Sequence, residues 1–151
     1  MMSKQSTLKI IVLVVGGAVL NVGLLAFSGW ILERKFDLRE HFLEAQRSPA
    51  ASAALADAFR AKDVWADLLV IPIVGCLIGA YAGLVRGRKP ALFAVGCLMP
   101  VLLYEIMTEP VQGWSAPLKV RYFGMRVLGF LLAMLVAASL RGFLDKGVSS
   151  A

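Results

Sequence analysis

The chain has 151 residues, of which 59% are hydrophobic and 17% charged, and its mean hydropathy is +0.76. Soluble domains hold about 45–50% apolar and about 25% charged residues, so this balance excludes a disordered chain and argues against a water-soluble globule. Two cysteines, Cys76 and Cys97, cannot make a disulfide scaffold or a four-ligand zinc site.

The apolar residues lie in blocks. A helix needs about 20 residues at ~1.5 Å each to cross a bilayer core of ~30 Å. Residues 10–32 carry no charge in 23 positions and predict a first span. Lys4 and Lys9 ahead of it, with Ala26-Phe27-Ser28 near its end, also fit a cleaved secretory signal. The run outlasts the usual signal core of about 7–15 residues, so retention as a span is the preferred reading.

Residues 33–63 mix charges with apolar side chains. Glu33 to Arg47 suits a helix on a surface or an extension of the first span. Ser48-Pro49 then breaks the chain, and the Ala-rich stretch from Ala50 to Lys62 suits a second helix. The expectation is a helical hairpin at the membrane surface, with Asp63 as the N-cap of the next span.

Residues 64–85 form the second predicted span, 91–107 the third and 120–140 the fourth. Gly87 suits a helix C-terminus, Pro90 a first turn, and Ser115-Ala116-Pro117 a cap and first turn. Trp30, Trp65, Trp114 and Tyr122 fall at predicted water–lipid boundaries. The blocks are apolar on every side and lack the period-two alternation of barrel strands, so helices are the spanning structure. The fold class is therefore all-α: a polytopic four-transmembrane-helix bundle with a helical extramembrane loop between helices 1 and 2.

Lys and Arg divide almost evenly between the two sides, but the short loop Arg86 to Pro90 is densely basic and holds no acid. Short loops carry the positive-inside signal best, which places both termini in the cytoplasm. The net charge of +6 is scattered, with no basic-aromatic stripe, so nucleic acid is not an expected partner. Anionic lipid beside Arg86 to Lys89 is the simpler counterpart. Compact size and Ala/Gly/Arg-rich composition suggest a bacterial inner membrane.

Gly75, Gly79 and Gly83 share one helix face in the spacing of a glycine zipper. Such a face admits a close second backbone, within the chain or from a partner. Pro72 and Pro100 predict kinks. Three ionisable groups, Asp67, Glu105 and Arg126, sit near span ends. Charges there must snorkel or pair, so Arg126 with Glu105, or with Asp67, is expected as an ion pair, with Tyr104, Glu109 and Tyr122 nearby. Asn21 stands alone in the first span, where an amide seeks an interhelical hydrogen bond. No nucleophile–base set, phosphate loop, zinc motif or haem site occurs, so no catalytic residue, metal or cofactor is expected.

Three functions remain. The first is an accessory or scaffold protein packing with a partner membrane protein or a second copy. The second is a small oligomeric transporter or channel using Asp67, Glu105 and Arg126. The third is a lipid-active enzyme with those carboxylates as acid and base.

Overall fold

The computed structural model describes residues 4–85, 89–108 and 115–149, and every element among them is a helix. The order is α1 (Lys4–Lys35), α2 (Leu38–Arg47), α3 (Ala51–Trp65), a π-helical turn (Ala66–Val70), α4 (Ile71–Val85), α5 (Pro90–Thr108) and α6 (Ala116–Ser149). Among the described residues, four stretches are long and apolar enough to cross a membrane: Thr7–Lys35, Ala51–Val85, Pro90–Thr108 and Ala116–Lys146. The chain is compatible with a small multi-pass integral membrane protein. Gly87, Glu109 and Trp114 lie outside the described residues.

The second long helix differs from the sequence expectation. It starts at Ala51, and Asp63 lies inside it and caps nothing. Nothing between Lys62 and Ala66 breaks a helix, so an Ala-rich segment and an apolar segment run on as one rod. The interruption that does occur is the π-helical turn, closed by the Ile71 N–H donating to the Ala66 carbonyl. Pro72 supplies the reason. Its ring crowds the carbonyl four residues back, at Leu68, and one wide turn relieves that crowding without ending the helix. The fourth helix is also longer than its predicted span, starting at Ala116 and running to Ser149.

Between α1 and α3 the chain turns sharply. Asp37 takes a left-handed backbone at φ 47°, a conformation that aspartate tolerates better than most residues. Lys35 lies 3.4 Å over the Trp65 ring and Arg34 lies 4.2 Å over the Trp30 ring. Glu33 accepts from the Lys62 ammonium at 3.4 Å.

The core is built around α4, which packs most extensively against α6. Val74, Gly75, Ile78, Gly79, Ala82 and Gly83 are buried along one α4 face. A Cβ built on Gly79 would sit 2.5 Å from the Ala133 carbonyl oxygen and 2.9 Å from its Cα. A Cβ on Gly83 would meet the Ala137 carbonyl oxygen at 2.9 Å, and one on Gly75 would strike the Gly129 backbone. Two stripes of small residues, 75-79-83 and 129-133-137, thus bring the two backbones together. Helices in lipid gain little from excluding water, so close dispersion contact carries more of their association. Gly17 does similar work for α1, since a Cβ there would run into the Cys97 side chain of α5 and reach 3.0 Å from the Tyr81 ring of α4. Tyr81 also donates its hydroxyl to the Leu13 carbonyl at 3.0 Å.

Gly79→Ala should therefore destabilise the bundle by about 1–3 kcal/mol, because backbone rather than a movable side chain opposes the new methyl. Gly124→Ala, which has no atom within 4 Å of its Cβ site, should be neutral or stabilise by up to about 1 kcal/mol. Equilibrium unfolding of the two variants in mixed micelles checks the difference. Equal effects would show that α4 and α6 do not meet this closely.

Candidate functional site

Three separate helical segments deliver charge to one layer of the bundle. The π-helical turn places Asp67, α5 places Glu105 near its end, and α6 places Arg121, Tyr122 and Arg126 in its first three turns. Tyr122 and Arg126 are four apart and share one helix face.

Arg126 is the hub. Its Nε donates to Glu105 Oε2 at 2.8 Å and its Nη1 to Asp67 Oδ1 at 3.0 Å. The second Asp67 oxygen accepts from Arg121 Nε at 2.9 Å. Tyr122 donates its hydroxyl to the same Glu105 oxygen at 3.0 Å, and its ring lies 3.4 Å under the Arg126 guanidinium carbon. Two cations meet two anions, so the layer is electrically neutral. The planar fork of arginine suits this arrangement, because it presents donors to two carboxylates at fixed angles.

The layer is largely withdrawn from the surface. The Arg126 side chain is 13% exposed and Asp67 is buried, while Arg121 at 29% stands at the edge. The two pairings that the sequence offers as alternatives occur together, because one guanidinium spans both acids. Tyr104 is not part of the layer: it is 68% exposed, and its backbone carbonyl accepts from the Thr108 hydroxyl at 2.9 Å. Glu109 lies outside the described residues. Arg121 is a further member that the sequence reading does not single out. Its signal in the sequence is slight: it precedes Tyr122 and so lies beside the Tyr122–Arg126 face rather than on it.

Asn21 is buried at 2% exposure, yet among the described residues its amide makes no hydrogen bond. It lines a cavity below the charged layer, whose wall also includes Glu105 and Arg126. On the other side of the layer a polar recess of about 300 Å³ is lined by Asp63, Asp67, Leu118, Arg121, Tyr122 and Arg126. Among the described residues no group of three His, Cys, Asp or Glu is placed to hold a metal ion. Comparison of the chain with protein families, with curated proteins and with solved structures finds no match.

This arrangement is suited to holding helices together. Both acids meet one guanidinium, and removal of that group leaves them facing each other without their shared counter-ion. Arg126→Gln should therefore cost about 3–5 kcal/mol, the range for breaking a buried pair from one side. Arg121→Gln, at the exposed edge, should cost no more than about 1 kcal/mol. Unfolding of both variants in bilayer-like micelles checks the ranking. An Arg126→Gln protein as stable as Arg121→Gln would show that the layer does not hold the bundle.

Proposed function

We propose that the chain is an accessory or scaffold protein of a bacterial inner membrane, packing through its spans with a partner membrane protein or a second copy. The observation that carries this reading is the closed charge layer. The ionisable groups inside the bundle satisfy one another, which is the pattern of a clamp rather than of acid and base aimed at a substrate. Large apolar side chains such as Val15, Val19 and Val22 remain exposed on α1 and form, with Pro100 and Tyr104, a groove of about 800 Å³ between α1 and α5. Membrane lipid covers the remaining outward faces, and a partner helix fits the groove.

In this reading both termini are cytoplasmic, residues 33–63 lie at the outer surface, and the charge layer sits toward the outer leaflet. The dense positive charge of the short loop before α5 supports that orientation.

A photo-crosslinking residue at Val19 or at Tyr104 should trap the same discrete protein, a partner or a second copy. One at Val127, on the outward side of α6, should trap lipid. Lipid adducts alone at all three positions, with a monomer in mild detergent, would contradict the scaffold reading. Orientation is tested with Cys76→Ala and Cys97→Ala as background. A cysteine at Ser48 should react with an impermeant maleimide on intact cells, and one at Lys89 only after the membrane is opened. The reverse pattern would invert the topology.

The polar recess beside Asp67 and Arg121 favours one second reading, a small oligomeric transporter. A solute flux into liposomes that Asp67→Asn abolishes would establish it in place of the first.

A further inference from the structure

Immediately inside the charge layer, where α1, α4, α5 and α6 converge, lies a cavity of about 40 Å³. Leu98, Val101 and other apolar groups form most of its wall, and three polar side chains interrupt it: Asn21, Glu105 and Arg126. Asn21 is almost completely buried and lacks a hydrogen-bond partner among the described residues. A buried amide left in that condition costs about 1–3 kcal/mol, and more in hydrocarbon, where nothing else can bond to it.

The neighbouring groups have capacity to spare. Both hydrogen bonds given to Glu105 fall on Oε2, so Oε1 takes neither. Arg126 donates from Nε and Nη1, so Nη2 stands outside those bonds. A buried water molecule occupies about 10–15 Å³ on this scale and requires two to four polar partners. The volume and the donors and acceptors therefore match a few water molecules. A small cation fits less well, because the Arg126 guanidinium forms part of the wall. An acyl chain would leave the amide unpaired.

We propose that this cavity is a hydrated site, in which about three water molecules bridge the Asn21 amide to Glu105 and Arg126. The bridge ties α1 to the charge layer, in addition to the hydroxyl that Tyr81 of α4 donates to the Leu13 carbonyl of α1. Arg126 also lines the outer recess, so its guanidinium stands between the two spaces. The site goes beyond the scaffold reading and does not depend on any partner.

Water-edited solid-state NMR of the unmodified chain in lipid bilayers tests the proposal. The Asn21 amide and the methyls of Leu98 and Val101 should take up water magnetisation about as fast as Arg121 at the recess. They should do so several times faster than the exposed, lipid-facing Leu77 and Val127. Uptake at Asn21, Leu98 and Val101 as slow as at Leu77 and Val127 would overturn the proposal. Asn21→Leu should abolish the uptake at Leu98 and Val101 while leaving Arg121 unchanged. Unaltered uptake at those two methyls would overturn the bridging role of Asn21.

Discussion

An arginine inside an apolar helical bundle needs an opposite charge within reach, and the rest of this molecule is arranged around meeting that need for Arg126. A lone guanidinium in lipid is costly even when the bilayer deforms around it. Here one guanidinium is shared between Asp67 and Glu105, which arrive from different helices. The geometry sets the relative heights of three helical segments. Sliding α5 or the π-helical turn by one residue along α6 would move a carboxylate by ~1.5 Å and break a bond of about hydrogen-bond length.

The small-residue seam and the charge layer depend on each other. Arg126 precedes Gly129 by three residues, and Asp67 precedes Gly75 by eight, so both features lie along the same α4–α6 boundary. Close backbones at Gly75 and Gly129 keep the first turns of α6 near enough for Arg126 to reach Asp67. The ion pairs in turn select the register in which Gly79 faces Ala133 and Gly83 faces Ala137. Apolar packing between helices tolerates several registers, and a charge pair tolerates few. The first helix is held differently, by Gly17 against Cys97 and by the Tyr81 hydroxyl, and it presents most of its apolar surface outward.

Much of this architecture is legible in the residues. Uninterrupted apolar runs with charged ends read directly as long helices, because hydrocarbon admits no other open-ended backbone. Asp67, Glu105 and Arg126 stand out for the same reason. The partner stripe Gly129, Ala133 and Ala137 was present in the sequence at the same four-residue spacing and is recognisable once α4 is placed beside it. Other features resist such reading. The start of the second long helix at Ala51 was hidden because charged residues near 60 read equally well as a surface helix or as the exposed end of a span. The π-helical turn follows from Pro72, but a proline inside a span is equally compatible with a plain kink. Arg121 and the cavity beside Asn21 arise from packing among segments far apart in sequence, which composition and spacing do not encode.

The claim on which this account rests is that Arg126 and Glu105 attract each other inside the assembled bundle. A double-mutant cycle with Glu105→Gln, Arg126→Gln and the pair together, read by equilibrium unfolding in bilayers, measures that attraction apart from each residue's other contacts. A favourable coupling of about 1–3 kcal/mol is expected for charges in direct contact. Strictly additive losses would show that the two side chains do not meet, and the layer joining the helices would have to be abandoned.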